Sequence, residues 1–552
     1  MKNTFKVNCV AIHEADNRHQ IVLLMPHASG DCWSYLPIDK ADLDKPNEIS
    51  DLLKNRGVDV PKGRKQAERF VEDKVRRPMG GVRERLITDA TGWHTSGTFV
   101  TADRTYGSAK MLPMHSSRLC VIKKRAGSIS GSLKYWKRSL GALAERSHTA
   151  IFAIGHALSG PLLGKALPAA DSPIFNVWSD TSSGKSTLLT IANTCFLSQN
   201  SVPTLPTFNQ TARAREEALA SRNGLFMPFD EENLSDAAKS RLQSSGIATS
   251  LSNFIFDVAS GQGRSRSQSV KGTLPNKEWV CAILTSSNRP AVSEGNSDSP
   301  TGVRIIDLRV RCQTRGGIFE CNSEELAAPQ RSDIIKRAVA GCVKHRGAVG
   351  KAWLTALTDK RGQGKIFKRV KELHAEFIEM HGSTLKSSQL RVLEKFANVY
   401  ATVVITAEMK LVPWSVDRGK FSVGWCYRRY VTQRKDAYLD VVKTYKLLMK
   451  LVGQRAIFPD HSEVTDDRQT SSLGFLTEFK KRRVACVRDR NLKKLGNKIG
   501  CGGEGLWKLL ASSNVLVRDA SGKNTILVRD PATKERKRFV TLDLEKLKKV
   551  VS

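Results

Sequence analysis

Residues Ile174 to Cys195 read IFNVWSDTSSGKSTLLTIANTC. A short apolar run, Ile174 to Trp178, gives way to small polar residues, and these to a segment whose apolar residues recur at helical spacing. The stretch therefore predicts strand, loop and helix. That is the context in which a loop holds phosphate, because free main-chain amides and the helix dipole both favour an anion at a helix N-terminus.

The candidate phosphate-binding residues are Ser179, Asp180, Thr181, Ser182, Ser183, Gly184, Lys185, Ser186 and Thr187. Gly184 permits close backbone approach, Lys185 can reach the β- and γ-phosphates of ATP, and Ser186 offers a hydroxyl to Mg²⁺. The pattern GxxxxGK[ST] asks for glycine where this chain has Ser179, a small residue but a departure.

The chain has 552 residues, room for about three or four ordinary domains. Lys plus Arg number 89 against 54 Asp plus Glu, a formal charge of +35. An excess that large points to a polyanionic partner, nucleic acid first, with a solvated basic surface as the alternative. The eleven cysteines are scattered without CxxC spacing and read as reduced thiols, neither a disulfide scaffold nor a zinc site. No signal peptide or membrane span is apparent, so a cytoplasmic protein is expected.

Residues 1–125 read as a mixed α+β domain, with strands around Val22 and Phe99. The charged stretch PKGRKQAERFVEDKVRRPMGGVRERLI between them reads as a helix whose basic face either touches nucleic acid or is simply solvated. GWH, Gly92 to His94, is given no chemistry. Residues 126–170 turn helical.

Beyond the loop, GLFMPFDEENLSD is an apolar strand ending in adjacent carboxylates. Asp230 would hold Mg²⁺ and Glu231 would polarise the attacking water. Pro228 is awkward in a central strand. ASGQGRSRSQSVKG follows, where Arg264, Arg266 and Lys271 make a loop suited to a phosphate backbone or an ordinary surface loop. KEWVCAILTSSNRP is a strand with a polar tip, and GVRIIDLRV, Gly302 to Val310, is the next, with Arg304 at its start.

This order of parts resembles that of the AAA+ ATPases, and in detail a domain-of-unknown-function family of helicase-like proteins of mobile genetic elements, related to MCM-type helicases. The resemblance rests on GWHTSGTFV, WKRSLGALAERSHTAIFAIGHALSGPLL, SDTSSGKST, FMPFDEEN, SGQGRSR, ILTSSN, GVRIIDL and RVLEKFANVYATVVITAEMKLVPW. It implies an α/β P-loop AAA+ core, a parallel sheet between helices, over 126–320, with a helical lid over 321–415. It implies a homo-oligomeric ring, Asn288 as first sensor, Arg304 as a finger acting in trans, and Arg391 as second sensor on the lid.

From 416 the chain is expected to hold an amphipathic helix at DAYLDVVKTYKLLMKLV, a polar linker, and a basic winged-helix-like module, or else a basic mini-domain for oligomer contacts. The expectation for the whole is an ATP- and Mg²⁺-dependent helicase or translocase on DNA, with a DNA-binding scaffold switched by ATP, or an RNA-directed ATPase, as alternatives.

Overall fold

The computed structural model describes residues 5–13, 17, 19–26, 32–88, 90–94, 97–102, 104–107, 112–113, 121–123, 131–169, 171–197, 205–207, 211–230, 255, 257–263, 277–288, 290–291, 300–321, 326–382, 385–464, 472–498, 506–507, 510, 515–517, 525–531 and 533–551. The chain divides into two compact units, one formed by Met1–Ala291 with Pro300–Tyr430 and the other containing Val431–Ser552.

The first unit opens with strands β1 (Lys6–His13), β2 (His19–Pro26) and β3 (Cys32–Asp39), which pair antiparallel in sequence. Alternate residues of β2 and β3, among them Ile21, Leu23, Leu36 and Ile38, are buried with Ile49 and Leu53 of α1 (Pro46–Lys54) and Val71 of α2 (Arg64–Val71). Strand β4 (Glu84–Thr88) pairs parallel to β1. The helical reading of the charged stretch holds from Arg64 to Gly81, where helical turns continue beyond α2, and is revised only at its end, where the last residues form a strand with Ile87 buried against Cys9, Ala11 and Val22. Three short strands, β5 (Gly92–Trp93), β6 (Phe99–Val100) and β7 (Thr105–Tyr106), form their own antiparallel sheet. Strands β8 (Leu112–Pro113) and β9 (Val121–Lys123) complete the larger one, ordered β8-β4-β1-β2-β3-β9.

Helices α3 (Leu133–Ala144) and α4 (His148–Ser159) begin at serines whose hydroxyls accept from Lys134 N and Ala150 N. Every residue of α4 is buried, as expected of a helix apolar on nearly all faces. The adjoining sheet is parallel, ordered β11-β12-β10-β13, from β10 (Ile174–Trp178), β11 (Phe226–Asp230), β12 (Ala282–Ser287) and β13 (Ile305–Arg309). Its strands are apolar runs because a parallel sheet is covered on both faces. Helix α5 (Lys185–Asn193) follows β10, α6 (Ala212–Ala220) precedes β11, and the turn α7 (Pro300–Arg304) precedes β13.

Two sequence expectations are revised here. Pro228 is accommodated because β11 is the edge of this four-stranded sheet, where a missing ladder donor is tolerated. The strand expected from Gly302 begins instead at Ile305, where the paired isoleucines enter the register with Ile174 and Phe175, and Arg304 ends the helical turn before it.

Helices α8 (Ala328–Lys344), α9 (Ala348–Leu357), α10 (Gln363–His381) and α11 (Ser387–Glu408) follow. Gly155 of α4 sits so close to α11 that a Cβ there would lie 2.1 Å from Val403. Helix α12 (Val416–Val452) runs 37 residues, so the amphipathic segment expected from Asp436 is the second half of a longer helix.

In the second unit, β14 (Gly474–Phe479), β15 (Arg482–Val487), β16 (Thr525–Arg529) and β17 (Arg536–Asp543) form an antiparallel sheet ordered β14-β15-β17-β16, with helices α13 (Asp489–Lys498) and α14 (Leu544–Val551). Lys480 and Lys481, at φ 51° and 60°, make the two-residue turn between β14 and β15. Among the described residues, no helix is long and apolar enough to cross a membrane.

Candidate functional site

Strand β10 leads by way of α5 to the sheet edge at β11, whereas β12 leads past β10 to β13 at the other edge. The connections from neighbouring strands β10 and β12 thus leave in opposite directions, and a crevice opens at their carboxyl ends, where ligands of such sheets bind. Ser179 N donates to Ser287 O across it at 3.2 Å.

The loop Ser179–Gly184 closes tightly. Ser182 and Gly184 both adopt left-handed conformations, at φ 63° and 95°, in a concave turn of the kind that gathers amides toward an anion. Ser183 Oγ donates to Asp180 O, and Ser179 Oγ donates to Asp180 Oδ1 at 2.8 Å and to Arg311 O at 3.3 Å. The Ser179 hydroxyl holds the exposed Asp180 carboxyl below its ordinary pKa. A second turn clamps the loop from outside: Ile318 N donates to Ser183 O at 3.1 Å, and a Cβ at Gly317, itself at φ 60°, would lie 2.5 Å from Ser183 O. The sequence reading missed this turn, which lies more than 130 residues further along the chain.

Lys185 is buried, and its Nζ donates to Ser179 O at 2.8 Å and Asp180 O at 2.6 Å. Burial lowers its pKa, against the pull of Asp180 and Asp230. Its neighbour Ser186 donates from Oγ to Asp230 Oδ1 at 3.2 Å, and Ser286 Oγ also donates to that oxygen. A carboxylate beside a serine hydroxyl at a phosphate-sized loop suits Mg²⁺, which keeps several waters and takes one or two carboxylates together with substrate phosphates. Among the described residues, no group of three His, Cys, Asp or Glu could cage a metal by itself.

Behind the crevice, buried Asn176 donates from Nδ2 to Ser287 Oγ at 2.9 Å and to Asp307 Oδ1 at 2.7 Å, while Thr285 Oγ1 donates to its Oδ1. This polar network ties β10 to both neighbours at their loop ends. Asn288 follows β12 directly, at the carboxyl end of the strand lying between β10 and β11.

A cavity of about 530 Å³ opens against the loop, lined by Gly184, Lys185 and Ser186 and by residues the sequence did not single out: Phe319, Arg331 and Lys336. The last two stand on α8, a helix that sequence reading placed among the later helices without a role at the loop.

Arg304 and Arg391 are placed elsewhere. Ile305 pairs with Ile174 and Arg309 with Trp178, so Arg304 lies at the amino end of the strands, about 16 Å along the sheet from the loop. Lys395 of α11 holds that end: its Nζ reaches Val303 O at 3.0 Å, Arg304 O at 3.4 Å and Asp171 Oδ1 at 3.2 Å. Burial depresses the Lys395 pKa, and both Arg304 and Arg391 depress it further, which puts the two arginines around one point remote from the loop of their own chain. Glu231, Arg264, Arg266 and Lys271 lie outside the described residues.

Residues 41–279 match the model of a family described as a domain of unknown function, DUF927. No curated protein matches the sequence. Among solved structures, one described as SCCmec type IV Cch, active helicase, superposes with a TM-score of 0.55 at 13% sequence identity, over 99% of this chain and 94% of that one. At that identity the likeness is one of fold: this chain is a mixed α/β protein whose parallel sheet and surrounding helices are similar in arrangement to those of a helicase.

Proposed function

We propose that the chain is an ATP- and Mg²⁺-dependent DNA helicase or translocase of the AAA+ type, working as a homo-oligomeric ring in the replication of a mobile genetic element. The observation that carries this reading is the meeting of Ser186 and Asp230, 44 residues apart in sequence, beside the Lys185 loop at the carboxyl ends of β10 and β11. The family match and the fold likeness to a helicase support it.

In the proposed cycle the loop amides from Ser179 to Thr187 and the Lys185 ammonium hold the triphosphate, with Arg331 and Lys336 added from α8. Ser186 and Asp230 hold Mg²⁺, which when bound neutralises charge on the phosphate oxygens. Glu231 takes a proton from the attacking water, and Asn288, at the tip of β12, orients that water. Arg304 completes the site of the neighbouring protomer; its place at the far end of the sheet from its own loop supports a role in trans. Arg391, on the helical lid, serves as the second sensor. Arg264, Arg266 and Lys271 contact the DNA strand, and the basic C-terminal region acts as a winged-helix-like DNA-binding domain. In this reading, residues 1–125, 126–320, 321–415 and 416–552 are N-terminal domain, ATPase core, lid and C-terminal region.

The test is ATP hydrolysis by the wild type and Lys185→Ala, with and without single-stranded DNA, at two salt concentrations. DNA-stimulated turnover that is absent from the variant and weakens with salt is expected. A wild type that binds DNA yet hydrolyses no more than the variant would replace the motor by a scaffold that uses ATP as a switch.

A further inference from the structure

A second cleft, of about 980 Å³, adjoins the loop cavity and shares Gly316 and Arg331 with it. Arg309, Arg311, Arg315, Arg331 and Arg429 line it, and no Asp or Glu is among the described residues that do. These arginines come from the end of β13, the turn after it, the first half of α8 and the middle of α12.

We propose that this cleft binds the phosphodiester backbone of single-stranded nucleic acid, an assignment that rests on the proposed DNA partner. Two of the guanidiniums are oriented in advance: Arg309 lies over the Trp178 ring at 5.0 Å and Arg429 over the Trp425 ring at 5.5 Å. Arg429 Nε also donates to Arg309 O at 2.9 Å. A planar guanidinium held on an aromatic face loses less freedom on binding, and its N–H fork matches the geometry that phosphate oxygens accept bidentately. Gathering like charges costs energy that a bound polyanion offsets. Burial holds the Arg429 pKa below the usual arginine value, and Arg311 and Arg309 add to that effect against the opposing pull of Glu320.

The occupant is a chain of phosphates because five cations spread over four segments exceed what one phosphate group can engage, and because the adjoining cavity already serves the nucleotide. The excess of +35 over the whole chain favours the same partner. The site also reaches the loop chemically. Arg331 faces both cavities, and Arg311 O accepts from the Ser179 hydroxyl, so a strand in the cleft acts on the residues that hold the triphosphate.

The experiment measures binding of a fluorescein-labelled single-stranded oligonucleotide by anisotropy across a salt series. It compares the full-length wild type, R311E/R315E, the milder R311Q/R315Q, and a control, K40E/K45E, that reverses two exposed lysines of the N-terminal domain outside its charged 61–87 stretch. Melting curves check that each variant folds. Both cleft variants should lose at least tenfold in affinity at low salt, and the slope of log K against log salt should shrink by about 1.4, roughly 0.7 per lost phosphate contact on a single strand. The control should keep the wild-type slope. Wild-type slope in the cleft variants, or an equal loss in the control, overturns the cleft while leaving the DNA partner standing. A wild type that binds no oligonucleotide overturns the DNA reading and the cleft with it. Inorganic phosphate is titrated calorimetrically into the same proteins: loss of its binding in the cleft variants with oligonucleotide binding intact would make the cleft a free-phosphate site and overturn the polynucleotide assignment.

Discussion

The hydroxyl of Ser186 donates to Asp230 Oδ1 at 3.2 Å, joining the first turn of the helix after the loop to the tip of a strand 44 residues later. Ser286 donates to the same oxygen from the neighbouring strand. One carboxylate oxygen is thus aimed by two hydroxyls at the place where the loop would present its phosphates.

If that oxygen holds Mg²⁺, Asp230→Asn should lower Mg²⁺-dependent ATP hydrolysis by about 100-fold or more, beyond the 10–100-fold typical of residues that only support metal ligands. Binding of ATP in EDTA should change little. The comparison is made by titrating Mg²⁺ at fixed ATP, and an unchanged Mg²⁺ requirement would remove Asp230 from the metal site.

The Gly316–Phe319 turn should matter to the loop as much as the loop's own residues. Gly317→Ala puts a Cβ 2.5 Å from Ser183 O at a φ of 60°, and should cost about 1–3 kcal/mol. Because the clash falls on Ser183, nucleotide affinity should fall as well. Thermal unfolding with and without ATP reads both: a smaller nucleotide-induced rise in Tm than in the wild type is expected.

Three buried groups set opposing pH dependences. Burial lowers His148 and His156 to about 4 from 6.5, so the unfolded chain binds protons that the fold refuses, and stability is lost as pH falls from 6.5 toward 4. Burial raises Glu320 to about 7 from 4.5, so the fold retains a proton that the unfolded chain releases, and stability is lost as pH rises from 4.5 toward 7. Glu320→Gln removes the second dependence only. Relative to wild type it should gain up to about 3 kcal/mol between pH 5 and pH 8 in denaturant unfolding. A constant difference across that range would place the carboxyl's proton elsewhere.

Lys395→Met leaves Asp171 and two strand-end carbonyls without their cation, and should destabilise the protein by about 3 kcal/mol, as judged from the denaturant midpoint. Because Lys395 holds the Arg304 end of the sheet and not the loop, ATP binding by the variant should stay near wild type, and if Arg304 acts in trans as proposed, hydrolysis should fall. Equal losses of both would contradict the separation of the two ends of the sheet.

Much of the central sheet was legible in the sequence. Ile174–Trp178 and Lys185–Asn193 are short stretches whose apolar spacing and small intervening residues settle their conformation locally. The polar tip of β12 was likewise legible, because Thr285, Ser286, Ser287 and Asn288 follow directly on the apolar run that ends at Leu284. Pro228 misled because whether a strand is central or at an edge is a property of its neighbours. Arg331, Lys336 and the Gly317 turn were missed at the loop because they come from segments far away in sequence, although the run RVRCQTRGG carried a signal in its density of arginine and glycine.

The sequence alone determined which segments are strand, loop and helix around Ile174–Asn193, that the loop has residues suited to phosphate, and that the chain carries a large positive charge, since these depend on local spacing and composition. Tertiary structure decided which end of the sheet each cation occupies. The register that pairs Ile174 with Ile305 and Trp178 with Arg309 sends Arg304 away from the loop and Arg309 toward it, and burial of both sheet faces, a non-local demand, is what sets that register.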